Sequence, residues 1–182
     1  VVDGEIVFDA PARAEGQHSV LRLTTDPMPV VRVGFIGLGM RGPGAVERFT
    51  YLDGVEIKAL CDLYPDRVEK SQEILAGRNL PAAAAYSGEE GWKELCRRDD
   101  IDLVYICTPW QLHVPMAVYA MEHGKHVAVE VPAAMSLEEC WQLVDTAEKT
   151  QRHCMMLENC VYDFFELTTL NMAQQGLFGD IL

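Results

Sequence analysis

Positive charge is scarce in this 182-residue chain: 15 Lys and Arg stand against 28 Asp and Glu, a formal net charge of −13. A surface that acidic repels phosphate backbones, which disfavours general nucleic-acid binding. Long apolar runs are missing as well. Stretches such as 103–107 and 127–129 are far too short to span a bilayer. None of Cys61, Cys96, Cys107, Cys140, Cys154 and Cys160 falls in a C-x-x-C pair or a Cys/His zinc spacing, so no metal site is expected. Most of them sit in apolar runs, where a free thiol behaves as a small buried hydrophobe. The chain opens on Val1-Val2-Asp3-Gly4 with neither an initiator Met nor a signal-peptide pattern, a start compatible with a leader already removed. What is present, 49% hydrophobic and 24% charged residues, is the composition of a folded domain, and the length suits one domain.

Residues 1–29 show no sustained periodicity and are read as an irregular N-terminal arm. From residue 30 to 182 short apolar runs alternate with amphipathic segments. Strands are expected over 31–36, 55–61, 82–86, 101–107, 126–130 and 154–157, and helices over 42–51, 65–75, 89–97 and 113–123. Pro43 and Pro65 suit the first helical turns, and Gly124 suits a left-handed stop. Ser136 and Glu139 form an S-x-x-E capping box ahead of Leu137, Cys140, Trp141 and Val144 at helical spacing. A last helix begins at Asp163 and Glu166 and is ended by Gly176. Strands alternating with helices imply an α/β fold with a doubly wound parallel sheet, a Rossmann dinucleotide-binding domain.

The first strand runs into Gly37-Leu38-Gly39-Met40-Arg41-Gly42, a G-x-G-x-x-G that opens a helix. Such glycines permit a tight turn, let the backbone approach a pyrophosphate and let the helix pack close to the sheet. The helix N-terminus then offers free N–H donors to the anion. Asp62 ends the second strand, where a carboxylate accepts from the adenosine ribose hydroxyls and repels a 2′-phosphate, so NAD is favoured over NADP.

In a doubly wound sheet the ligand crosses beside strands one and four. The fourth strand ends in Thr108-Pro109-Trp110-Gln111-Leu112-His113, the fifth at Glu130, and the sixth in Glu158-Asn159-Cys160-Val161-Tyr162. Trp110 suits packing on a dinucleotide or a place in the core. His113 suits the site or a helix start where it satisfies a backbone group. Glu130 suits the crevice rim or plain solvation.

The glycine loop, Thr108-Pro109 with His113, and Glu130-x-Pro132 resemble the Gfo/Idh/MocA family of NAD(P)-dependent sugar oxidoreductases. Most members carry Glu-Lys-Pro at that rim, and the Lys assists proton transfer from the sugar; this chain has Val131 there. Lys125 precedes the strand and so lies at the opposite sheet end. With Trp110–His113, Glu130-Val131-Pro132-Ala133-Ala134 and Glu158–Tyr162, the chain looks like the Rossmann part of glycoside hydrolase family 109, α-N-acetylgalactosaminidases with a resident NAD. That resemblance implies NAD contacts from Met40, Arg41, Asp62, Trp110, Gln111, Leu112, His113, Glu130, Val131 and Asn159, beside Gly37, Gly39, Gly42 and Thr108, and places Tyr162 near the sugar. It implies hydrolysis through transient oxidation at the sugar C3, elimination, water addition and re-reduction. A two-carboxylate mechanism from Glu130 and Glu158 is correspondingly disfavoured.

The resemblance also implies a second α+β domain that carries most sugar contacts and the acid/base groups, so this chain is expected to be partial and inactive alone. The expected partners are the cofactor and a carbohydrate, with a homo-oligomer left open. Export to the periplasm or cell envelope is favoured, with the cytoplasm as the alternative. An ordinary NAD-dependent sugar dehydrogenase and a non-catalytic NAD-binding module are the competing functions.

Overall fold

The structure is a computed structural model that describes residues 12–158 and 160–180. Six parallel strands form one sheet in the order β3-β2-β1-β4-β5-β6: β1 (Val31–Ile36), β2 (Val55–Asp62), β3 (Ala84–Ser87), β4 (Leu103–Ile106), β5 (His126–Glu130) and β6 (Cys154–Leu157). The connecting helices are α1 (Gly42–Phe49), α2 (Pro65–Gly77), α3 (Gly91–Cys96), α4 (His113–Glu122), α5 (Leu137–Thr150) and α6 (Phe164–Gln174). Strand order reverses between β1 and β4, which leaves a crevice at their carboxyl ends.

Side-chain parity builds two core layers, because successive strand residues face opposite sides. Val33, Phe35, Leu60, Tyr105 and Ala128 face α1 and α2, packing on Ala45, Val46, Val68 and Leu75. Ala59, Cys61, Val104, Ile106, Val127 and Val129 face the other way, onto Leu95, Met116, Ala117, Leu143 and Ala147. Each fully buried Val, Leu, Ile or Phe contributes about 1.5–3 kcal/mol. Phe35 stacks on Tyr105 with ring centres 5.2 Å apart, and Phe49 meets both edge-on.

The expected strand over 101–107 is shorter at both ends. At the N-terminal end Asp102 keeps backbone bonds to Arg32 and His126, but its carboxylate, rather than a backbone carbonyl, accepts from the backbone N–H of Arg32 at 2.9 Å and is gripped by the Arg32 guanidinium. The β3 and α3 segments lie within two residues of their expected bounds. Gly124 (φ +79°) follows α4 and Gly176 (φ +72°) follows α6, as the sequence suggested. At α5 the Ser136 hydroxyl accepts from the Glu139 N–H at 3.1 Å, but the Glu139 carboxylate returns to the N–H of Met135 rather than of Ser136. The box therefore closes one residue upstream.

The part of the arm expected over 1–29 that lies within 1–11 is outside the described residues. Residues 12–30 carry no helix or strand, yet they lie against the domain. The Arg13 guanidinium forks onto Glu148 of α5 at 2.8 and 2.9 Å, Gln17 donates to Asp145 and Glu148, and Gln151 donates to the carbonyl of His18. Arg13 and Gln17 together hold the Glu148 carboxyl below the usual carboxylate range. Val20 packs on the α4–α5 core layer.

No helix among the described residues is long and apolar enough to cross a membrane. All six cysteines are free: Cys61 and Cys96 are buried, Cys107 and Cys154 half-buried, and Cys140 and Cys160 exposed. The last two depart from the buried role that apolar runs suggest.

Candidate functional site

A cavity of about 1000 Å³ opens over the carboxyl ends of β1, β2, β4 and β5. Its floor is the glycine loop. The Gly37 N–H donates to the Cys61 carbonyl at 2.9 Å, and the Cys107 N–H donates to the Ile36 carbonyl at 2.8 Å, tying the loop to both neighbouring strands. Gly37 holds φ +91°, and a Cβ there would stand 2.6 Å from the backbone of Cys107. A Cβ on Gly42 would stand 2.0 Å from the Gly37 carbonyl oxygen. Gly39 differs, because a Cβ there would meet only the end of the Arg67 side chain, at 3.3 Å. The first and third glycines are thus required by the turn itself, whereas the second leaves the backbone open to the cavity.

Met40 and Arg41, at the start of α1, line the cavity and are exposed. Asp62 is buried beneath them. One carboxylate oxygen accepts from the Leu38 N–H at 2.7 Å, and the other accepts from the Tyr64 N–H at 3.0 Å and faces the Arg67 guanidinium at 3.4 Å. This carboxylate therefore fixes the glycine loop as well as standing where a ribose is expected.

The opposite wall comes from the ends of β4 and β5. Trp110 and Leu112 belong to a single 3-10 turn, Trp110–Leu112, and line the cavity with large exposed areas. Gln111, in the same turn, is exposed and outside the lining. His113 is buried, with Nδ1 2.7 Å from the Pro132 carbonyl and Nε2 2.8 Å from the Thr108 carbonyl. Its ring braces the two rim segments while one surface lines the cavity. Thr108 also lines this region, and its hydroxyl is buried without a hydrogen-bond partner among the described residues. An unpaired buried hydroxyl is costly, and a ligand that bonds to it relieves that cost.

Glu130 and Val131 complete the rim. Glu130 accepts from the Tyr105 hydroxyl at 3.3 Å. Burial, with the charges of Cys107 and Glu130, pushes the Tyr105 phenol up to about 12, so it remains a donor at neutral pH. Burial likewise raises the Cys61 and Cys107 thiols to about 12, which leaves neither as a nucleophile. Lys125 lies at the far end of the sheet, donating to the Arg98 carbonyl.

Of the remaining candidates, Gly42 lies beneath the loop rather than in the lining, Asn159 lies outside the described residues, and Tyr162 is 68% exposed and not in the cavity wall. Tyr64, Arg67, Trp92 and Tyr105 belong to the site or its support and were not singled out from sequence. Arg67 alone carried a signal, standing in the first turn of the helix that follows Asp62.

These features fit a dinucleotide: an open backbone at Gly39 beside a helix N-terminus, a buried carboxylate at the end of β2, and an orphaned Thr108 hydroxyl across the crevice. Residues 31–158 match Gfo/Idh/MocA, an oxidoreductase family with an NAD-binding Rossmann fold. A glycosyl hydrolase family 109 protein of Bacteroides fragilis is 68% identical over 173 residues, covering 94% of this chain and 37% of that protein. One from Porphyromonas gingivalis is 65% identical, covering 97% and 38%. A Bacteroides fragilis protein named alpha-N-acetylgalactosaminidase is 60% identical over 169 residues, covering 93% and 40%. The chain thus spans about two fifths of the length of these relatives. Among solved structures, scyllo-inositol dehydrogenase from Lactobacillus casei, with bound NAD(H) and scyllo-inositol, shares the fold at TM-score 0.74 and 19% identity, covering 84% of this chain and 43% of that one.

Proposed function

The chain belongs to the Gfo/Idh/MocA oxidoreductase family, with its NAD-binding Rossmann fold, and on that premise we propose that it is the cofactor-holding part of an NAD-dependent α-N-acetylgalactosaminidase. The observation that carries this reading is the 60% identity to a protein of that name over 93% of the chain. Val131 supports it further, standing at the rim position where the resemblance to sugar dehydrogenases calls for a Lys.

NAD, when bound, supplies a hydride acceptor that is restored within the same turnover. The backbone N–H groups of Met40 and Arg41 would hold its phosphates, and Asp62 the adenosine ribose. Trp110 and Leu112 give one wall an apolar face. Glu130, oriented by Tyr105, and the Thr108 hydroxyl offer polar partners beyond the glycine loop. No group here is assigned to sugar acid/base chemistry, which in this reading belongs to a second, α+β domain of the whole protein. Residues 30–182 form the cofactor domain in this reading, and Tyr162 would lie near the sugar. The same resemblance supports export to the cell envelope, which fractionation would test.

The deciding experiment is mass spectrometry of the supernatant after heat-denaturing the intact protein, purified without added nucleotide, beside an assay for release of N-acetylgalactosamine from an α-linked substrate. Stoichiometric NAD and sugar release without added cofactor are expected. An empty supernatant with net NADH formation from free NAD⁺ and a sugar would establish the dehydrogenase reading instead.

A further inference from the structure

A dinucleotide laid across this crevice meets unlike charges at its two ends. Its halves lie on either side of the switch between β1 and β4. On the β2 side, Asp62 and the glycine loop face a ribose and phosphates, whose charge is the same in NAD⁺ and NADH. On the β4–β5 side, where the nicotinamide is left to lie, the cavity wall carries one carboxylate, Glu130. It is half-buried, and its Oε1 accepts from the hydroxyl of buried Tyr105 at 3.3 Å. Among the described residues no cation pairs with it. Val131 beside it is uncharged, and His113 spends both ring nitrogens on the Thr108 and Pro132 carbonyls. Arg41 and Arg48, whose charges reach the neighbouring Cys107, are exposed at the two ends of α1, where water screens them.

We propose that Glu130 sets the redox balance of the bound nicotinamide, holding it toward the oxidised form that accepts the first hydride. The inference rests on the resident-NAD reading above. The NAD⁺ ring carries a positive charge that NADH lacks, so a fixed carboxylate at that end stabilises one form and leaves the other nearly unaffected. Contacts on the adenosine side cannot do this, because they meet the same atoms in both states. The ring would also displace water from the apolar wall of Trp110 and Leu112, which strengthens the attraction. Tyr105 keeps the carboxylate at the rim, and its phenol, pushed up to about 12 chiefly by burial, stays protonated as the donor. A cofactor that is never exchanged meets no second enzyme to re-oxidise it, so the site itself must supply this bias. Glu130 makes and breaks no bond; it acts on the ratio of the two bound forms.

Calorimetric titration of NAD⁺ and NADH into the intact protein, freed of co-purified nucleotide, gives the affinity ratio of the two forms, and with it the shift in potential on binding. Glu130→Gln keeps an acceptor for Tyr105 and removes the charge. It is expected to move the ratio about 10-fold toward NADH, which is about 30 mV for a two-electron couple. Val131→Lys leaves Glu130 and Tyr105 in place and sets a cation beside the carboxylate at an exposed position. It is expected to move the ratio in the same sense, and it keeps the proposal testable should Glu130→Gln fail to fold. Equal weakening of both forms by Glu130→Gln would mark Glu130 as a plain hydrogen-bond partner and overturn the proposal. A ratio that is unchanged in either variant, or that moves toward NAD⁺, would do the same. An unmodified protein that binds neither form would instead overturn the dinucleotide reading itself.

Discussion

Alanine at Gly42 and alanine at Gly39 should fail in different ways, although both alter one short loop. At Gly42 the new methyl would lie 2.0 Å from the Gly37 carbonyl oxygen, against an ordinary contact of 3.4 Å or more, so backbone must move by about 1.4 Å. The atom in the way is main chain, and Gly37 is itself locked against Cys107. Overpacking of this kind costs about 1–3 kcal/mol, or roughly 2–12 °C of Tm in a domain of this size. At Gly39 the methyl meets only the far end of Arg67, and the backbone is outside the left-handed region. Stability should change by less than about 0.5 kcal/mol. The methyl would instead stand where a phosphate must approach, and loss of one charge-assisted bond weakens NAD⁺ by about 10- to 100-fold. Thermal melting without nucleotide and calorimetric titration with NAD⁺ separate the two. Equal destabilisation by both substitutions, or unchanged NAD⁺ affinity in Gly39→Ala, would refute the division of the glycines into turn-formers and a ligand-facing one.

Thr108→Val should raise stability without nucleotide by about 1 kcal/mol, because it removes an unpaired buried hydroxyl, while weakening NAD⁺; melting and titration must move in opposite senses. Ser136→Ala should cost about 1 kcal/mol by removing the α5 cap, seen as a lower denaturant midpoint with unchanged slope. Burial first, then the charges of His153 and Arg152, holds His126 below the usual histidine value of 6.5. The unfolded chain therefore takes up a proton at about 6.5 that the folded chain refuses. Stability from this group is intact above about 6.5 and is lost as pH falls from there toward the lower folded value, a slope that His126→Asn should remove from a melting series.

The sheet was legible because its strands are short, nearly continuous apolar runs buried on both faces: Val104 and Ile106 face one layer and Tyr105 the other. The glycine loop and Asp62 were legible because a phosphate turn needs specific backbone freedom at fixed spacing. Arg67 showed only its place in the helix after Asp62; its approach to Gly39 was not legible, since that depends on how α2 leaves the sheet. Tyr105 reads as an ordinary core strand residue, and only the packed sheet carries its hydroxyl to Glu130. The brace at His113 joins carbonyls 5 and 19 residues away, and sequence fixes no such pairing. The arm shows no periodicity because it is held by individual polar bonds rather than by an apolar stripe.

Those arm bonds also set a direction for handling the protein. Arg13, Gln17 and His18 meet α5 at Asp145 and Glu148 and its C-terminal cap at Gln151, beside the amino ends of the strands. The cavity opens at the carboxyl ends, across the full depth of the sheet. A chip linkage or reporter attached at the start of the docked arm therefore leaves from the back of the domain, and the nucleotide-facing mouth points outward into the flow.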